Sequence, residues 1–236
     1  SEMCIRDSNK MAEELQNTEL LSSSFINDFS HEFKTPLVSI LGFTKLLRKN
    51  ILTGEEREEY LGIIEEEMKR LYTMANGILN LTKVENQSIL TNVTEYNLSE
   101  QIRLTVLLLE SKWTARNINM NIDFGEYTIN ANEEMMKQVW INLLDNAIKF
   151  SPEGEEISIR ISKKNEHIYV SISGKGPHIE DEEINKIFRK FYQSDSSHST
   201  EGTGIGLALV SRIIELHKGR IEVNSDKNIN TFTVIL

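Results

Sequence analysis

Apolar and small residues recur along the first third of the chain at intervals of four and three: Met11, Leu15, Thr18, Ser22, Phe25 and Phe29, then Leu37, Ile40, Leu41, Thr44 and Leu47. That spacing is the stripe of one helix packed along another. The run Thr53-Gly54-Glu55-Glu56 interrupts it, since glycine punctuates and the acids suit a new helix N-terminus. The stripe resumes through Tyr60, Ile64, Glu67, Leu71, Met74, Ile78 and Leu81. Two long helices and a short turn predict an antiparallel all-α hairpin over residues 9–86. Alone it leaves a broad apolar stripe in water, so a second copy is expected to complete a four-helix bundle, making a homodimer. Residues 87–91 carry mixed polar character and read as a linker.

Past the linker the period changes, and residues 92–236 read as a second domain. A strand is predicted near 91–97, an amphipathic helix over 98–116, short strands at 119–123 and 128–131, and a helix over 133–150. Residues 157–161 and 168–172 alternate cleanly between apolar and polar, the pattern of strands with one buried face. Lys164-Asn165-Glu166 supplies the turn between them. A loop-rich stretch over 174–203, a helix over 205–217 and strands at 220–224 and 231–236 complete the chain. Helices gathered on one face of a mixed sheet define an α+β sandwich.

Composition narrows the partners. Asp and Glu outnumber Lys and Arg by 36 to 26, for a formal charge of −10, which disfavours a nucleic-acid partner. Cys4 is the only cysteine, so neither a disulfide framework nor a cysteine metal cluster is expected. No stretch approaches the roughly 18 to 20 apolar residues of a membrane span, and no signal peptide opens the chain. The expectation is a cytoplasmic location without membrane contact. Residues 1–8 fit neither the helical pattern nor a targeting signal, and are set aside as a non-native or disordered start.

Three constellations carry chemistry. In Ser30-His31-Glu32-Phe33-Lys34-Thr35-Pro36-Leu37, a proline sits inside a helical pattern, where it costs on the order of 3 kcal/mol. An imidazole near its pKa at neutral pH is a nucleophile, and the adjacent Glu32 carboxylate is suited to accept its ring proton. A His-Glu pair on a helix surface is otherwise an ordinary solvated feature. In the run Asn142 to Phe150, Asn142 and Asn146 lie one turn apart on one helix face. Amide oxygens suit Mg²⁺ when phosphate oxygens share it, and Lys149 is placed to reach a phosphate. The bland alternative is a polar exposed face above a core of Leu143, Leu144 and Ile148. Gly202-Thr203-Gly204-Ile205-Gly206-Leu207 is a glycine-rich turn opening a helix, whose backbone amides favour an anion. It lacks the Lys-Ser/Thr ending of a P-loop and follows no strand directly.

Order and spacing together make the chain resemble the sensor histidine kinases of two-component signalling. Residues 30–37 match that family's histidine box, 142–150 its asparagine box, 188–192 its phenylalanine box and 202–207 its second glycine box. The resemblance implies that His31 accepts the γ-phosphoryl group of ATP and passes it to an aspartate on a response-regulator receiver domain. It gives Glu32 the role of base, and Thr35 that of orienting water when the module dephosphorylates its partner. It implies Mg²⁺ on Asn142 and Asn146, and phosphate contacts from Lys149 and from Lys190 in the lid. Phe150, Gly176, Gly202, Thr203, Gly204, Gly206 and Leu207 would line or close over the nucleotide. The helical stripe before Phe29 would continue upstream as a signal-transmitting coiled coil, and the full protein would then be membrane-anchored.

The first glycine box departs from the family. Gly174 stands where an aspartate would accept a hydrogen bond from the adenine amino group, and His178 where a glycine would let the chain turn. Loss of a charged acceptor costs about 1.5–3 kcal/mol, or about ten- to a hundredfold in affinity. A non-glycine residue forced to positive φ costs roughly 1–2 kcal/mol more. Weak ATP binding is therefore expected. Two alternatives follow: an ATP-binding-impaired scaffold or phosphatase-only module that binds a response regulator, and an ATPase of the superfamily shared with type II topoisomerases, against which the His31 hairpin counts.

Overall fold

The computed structural model describes residues 26–27, 29–49, 52–193 and 202–236. The stripe positions Met11 to Phe25, Cys4 and the expected start over 1–8 lie outside the described residues. The chain divides into two compact units, Ser1–Ala75 and Asn76–Leu236.

In the first unit, α1 (residues 29–47) precedes α2 (Gly54–Glu85), whose last turns belong to the second unit. The start of α2 is a reciprocal cap. The Glu56 N–H donates to Thr53 Oγ1 at 3.1 Å, and the Thr53 N–H donates to the Glu56 carboxylate at 2.8 Å, satisfying two orphan donors together. The two helices run antiparallel: Phe43 stacks near Tyr60 at 5.1 Å between ring centroids, while Glu32, earlier on α1, meets Arg70, later on α2. Leu37, Val38 and Leu41 on α1 and Leu61, Met68 and Tyr72 on α2 stay exposed.

The second unit contains β1 (Thr94–Asn97), α3 (Leu98–Leu108), α4 (Glu110–Ala115), β2 (Asn119–Asp123), β3 (Thr128–Ala131), α5 (Glu133–Phe150), β4 (Glu156–Lys164), β5 (His167–Lys175), α6 (Asp181–Ile184), α7 (Gly206–Leu216), β6 (Arg220–Asp226) and β7 (Ile229–Ile235). Five strands form a mixed sheet in the order β2-β4-β5-β7-β6, with β2 parallel to β4 and the other pairs antiparallel. β1 and β3 make a separate two-stranded ribbon. Register places Ile159 opposite Ile172, Ile161 opposite Val170, Ile172 opposite Phe232 and Val170 opposite Val234. All six are buried, so one face of the sheet is apolar and is covered by helices. The other face carries hydroxyl pairs, Ser171 with Thr233 at 3.1 Å and Ser173 with Thr231 at 2.9 Å. This is the expected α+β sandwich.

Several boundaries move for local reasons. The helix predicted over 98–116 breaks at Leu109, whose ψ of 10° leaves the helical range, giving α3 and α4. The strand predicted from residue 91 starts at Thr94, because Asn92 lies at φ +55°, a left-handed conformation incompatible with a strand. The β4–β5 hairpin extends by several residues and turns on Asn165 and Glu166, both left-handed at φ +47° and +68°, as a two-residue turn between twisted strands requires. The loop predicted over 174–203 contains the short α6.

His217, just past α7, ties that helix to the start of α5. Its Nε2 accepts from the Asn132 N–H at 3.1 Å and its Nδ1 donates to the Ile213 carbonyl at 2.7 Å. A backbone N–H can only donate and a carbonyl only accept, so the ring must be neutral with its proton on Nδ1. Burial pushes its pKa down.

Candidate functional site

α1 runs unbroken through Pro36, which is buried, although proline offers no N–H to the Glu32 carbonyl. Thr35 Oγ1 donates to the His31 carbonyl at 3.3 Å, a side-chain bond of the kind that bends helices. His31 is exposed and Glu32 half-buried. Neighbouring residues on a helix do not face each other, and no hydrogen bond joins His31 to Glu32 among the described residues. The Glu32 carboxylate instead accepts from Arg70 Nη2 at 3.0 Å, with both side chains 32% exposed. Arg70 was not anticipated: it lies on the facing helix, and no local pattern marks it.

The second group of site residues is organised by α5. Asn132 caps this helix, its side chain accepting from the Met135 N–H at 3.0 Å. Met136, Val139, Trp140, Leu143, Leu144 and Ile148 are buried, which leaves Asn142, Asn146 and Lys149 on the remaining face. Asn142 Nδ2 donates to the Gln138 carbonyl at 2.7 Å. That bond fixes the amide and turns Oδ1 toward Gly206, where a Cβ would stand 2.6 Å from it. A Cβ on Gly202 would collide with Lys149 Nζ. The ammonium itself lies 4.6 Å from the Phe150 ring centroid.

Gly204 adopts φ +64°, and a Cβ there would stand 2.6 Å from the Phe191 carbonyl carbon. Its own carbonyl accepts from the Phe191 N–H at 2.9 Å, and Phe191 is also left-handed at φ +60°. The phenylalanine box and the glycine turn are thus locked together through backbone. Gln193 Nε2 adds a bond to the Gly202 carbonyl at 2.9 Å. Thr203 and Leu207 are half-buried in this turn. α7 then starts at Gly206 with no side-chain cap, so its first N–H groups are the orphan donors that favour an anion. Lys190 pairs with Glu85 at 2.7 Å, a partner that sequence reasoning also missed.

At the other end of α5, Gly174 follows Ile172 on the inward face of β5, directly opposite Ile157. Gly176 is closed in by Asn230 Nδ2, 2.9 Å from where a Cβ would be. The strain expected at His178 is absent, because His178 is not among the residues with positive φ. Its Nδ1 instead lies 2.9 Å from Ser225 Oγ, which also accepts from the Ile179 N–H at 3.0 Å. A side chain that finds a partner in ordinary backbone geometry carries no left-handed penalty.

A neutral amide oxygen, an ammonium and an uncapped helix N-terminus, brought against glycines too close for any side chain, form a donor set for a polyphosphate with a divalent ion. The residues therefore fit a nucleoside triphosphate at its phosphate end. The carboxylate expected at the base end is missing.

Comparison with known proteins agrees with this geometry. Residues 21–87 match the His Kinase A (phospho-acceptor) domain, and residues 131–236 match the family described as histidine kinase-, DNA gyrase B- and HSP90-like ATPase. The chain is 27% identical over 237 residues to the sensor histidine kinase CusS of Escherichia coli, covering all of this chain and 49% of that protein. The catalytic domain of histidine kinase ThkA is 32% identical, covers 62% of this chain and 95% of its own, and superposes with a TM-score of 0.57. ThkA in complex with the response regulator protein TrrA gives a TM-score of 0.78 at 29% identity, covering 96% of this chain and 65% of that one. The chain belongs to the sensor histidine kinases of two-component systems, and it corresponds to their ATP-binding catalytic core. It spans about half the length of the curated relatives it matches. Among the described residues, no helix is long and apolar enough to cross a membrane.

Proposed function

We propose that this chain phosphorylates itself on His31 from ATP and hands the phosphoryl group to an aspartate of a response-regulator receiver domain. The observation that carries the reading is the convergence of Asn142 Oδ1, Lys149 and the uncapped N-terminus of α7 on one glycine turn, in a chain whose other unit presents His31 exposed on a helix that continues through Pro36.

The unprotonated ring nitrogen of His31 attacks the γ-phosphorus, the bond to the β–γ bridging oxygen breaks, and ADP leaves. Glu32 is the base for the proton that the other ring nitrogen sheds as the phosphohistidine forms, and Arg70 holds that carboxylate in place. Phosphoryl transfer demands little covalent chemistry from the protein, so positioning and charge neutralisation do most of the catalysis. Lys149, Lys190 and the backbone amides at Gly204 to Leu207 hold the phosphate oxygens. Thr203, Gly202, Gly206 and Phe150 shape the closure, and Asn142 and Asn146 would hold a divalent ion through their amide oxygens. Mg²⁺ bound there would neutralise charge on the leaving phosphates. The receiver aspartate then attacks the phosphorus on His31 and the P–N bond breaks, while Thr35 orients the water that hydrolyses the receiver's phosphoaspartate when the module acts as a phosphatase.

The exposed apolar residues of α1 and α2 support a homodimer closed as a four-helix bundle. We assign residues 9–86 to this hairpin, 87–91 to a linker and 92–236 to the ATP-binding domain, and place the chain in the cytoplasm as part of a membrane-anchored sensor. Gly174 supports a second reading, a module that binds its regulator but uses ATP poorly. Incubation with γ-labelled ATP and Mg²⁺, then with a receiver domain, separates the two. Label on the chain that chases to the receiver supports the kinase. No label on the chain, combined with accelerated loss of label from a phosphorylated receiver, overturns it in favour of the second reading.

A further inference from the structure

Near Gly174 and Gly176, where the resemblance puts the base of the nucleotide, two buried polar atoms have no hydrogen-bond partner among the described residues. Ser151 directly follows α5, is 1% exposed, and its hydroxyl has no hydrogen-bond partner among the described residues. It lies 2.9 Å from where a Gly174 side chain would begin, with Ile157 Cγ1 at 3.3 Å on the other side. Asn230 sits opposite Gly174 in the β5–β7 register. Its Nδ2 donates to the Pro177 carbonyl at 2.8 Å. A carbonyl can only accept, so this bond settles which end of the amide is nitrogen. Asn230 Oδ1 is therefore a true acceptor, and it is buried without a partner among the described residues. Buried polar atoms in native proteins are nearly always satisfied, and an exception calls for a reason.

The placement supplies one. At about 1.5 Å per residue, Ser151 lies roughly 13 Å along the chain of α5 from Asn142, about the span of a sugar and its phosphates from the amide proposed to hold the divalent ion. Gly174 carries no side chain at the inward position where a carboxylate would have done the reading, and the Ser151 hydroxyl lies against that point instead. Resting on the nucleotide site proposed above, we infer that Asn230 and Ser151 replace that carboxylate: the Asn230 amide oxygen accepts from the exocyclic amino group of a purine, and the Ser151 hydroxyl bonds the neighbouring edge of the ring. The ligand class is a 6-aminopurine nucleotide, recognised by neutral groups rather than by an anion. Both side chains are specificity-determining for the kinase reaction and touch none of the reacting atoms.

The test compares ATP with purine riboside 5′-triphosphate, which lacks only the 6-amino group, by calorimetric titration of the full chain. The wild-type protein is expected to bind ATP about tenfold more tightly than the analogue. In Asn230→Ala that ratio falls to about one, while affinity for the analogue holds. Ser151→Ala weakens both nucleotides severalfold without lowering the melting temperature, since the hydroxyl it removes supports nothing else. A structural role for Asn230 would weaken both nucleotides equally and keep the ratio, which overturns the inference. So does a wild-type ratio near one. If the wild type binds neither nucleotide but Gly174→Asp binds ATP, the nucleotide site stands and this inference falls. If no variant binds either, both fall together.

Discussion

The two units close their apolar surfaces in different ways. In the sandwich, the inward residues of β4, β5 and β7 and the apolar side of α5 are buried, so the unit completes its own core. In the hairpin, Leu37, Val38, Leu41, Leu61, Met68 and Tyr72 remain exposed at helical spacing. A surface of that kind marks an interaction site. The unit that holds the proposed nucleotide residues thus builds a buried core of its own, whereas the unit that holds His31 leaves these apolar side chains for the second copy proposed above.

The largest expected effect strikes the core of the sandwich. Trp140 is fully buried, and its Nε1 donates to Gln101 at 2.8 Å. Trp140→Ala should cost about 3–5 kcal/mol, read as a fall in the urea midpoint of the sandwich. Next comes Gly204→Val, which places a branched side chain at a left-handed position against the Phe191 backbone. Strain of about 1–3 kcal/mol predicts ATP binding weaker by about five- to a hundredfold, measured by titration. For the hairpin, Leu41→Glu should convert a dimer to a monomer in sedimentation without changing the urea midpoint of the sandwich. Unchanged mass in that variant would break the comparison.

The smaller effects sharpen it. Arg70→Gln releases a half-exposed ion pair and should cost under about 1 kcal/mol of stability. It should nevertheless slow phosphorylation, because Glu32 is then no longer held. Last is a pH effect confined to the sandwich. Burial holds the folded pKa of His217 below its ordinary value of 6.5. The unfolded chain therefore binds the proton more readily, and the stability from this group is complete above pH 6.5 and declines as pH falls below it. His217→Gln should flatten that decline in urea midpoints measured across the same range.

Much of this was legible in the sequence, and the reasons are local. The change from a four-and-three stripe to a two-residue alternation separates the hairpin from the sandwich. Four motifs in order mark His31, the asparagine face of α5, the phenylalanine box and the glycine turn. What stayed hidden depends on pairs distant in the chain. Arg70 meets Glu32, Glu85 meets Lys190, and Asn230 meets Pro177 only after folding, and no window of sequence contains both partners. Ser151 stood in plain view after Phe150, but its burial beside a missing side chain is a tertiary fact. The strain expected at His178 failed for a similar reason: Ser225, on β6, supplies a partner and the backbone stays out of the left-handed region.

The central claim is that one histidine among five receives the phosphoryl group. The most direct test is mass-spectrometric mapping of the chain after incubation with ATP and Mg²⁺, at neutral pH to preserve phosphohistidine. The account predicts phosphate on His31, none on His167, His178, His198 or His217, and none anywhere in His31→Ala. Phosphate on another residue, or label that survives in His31→Ala, would contradict it.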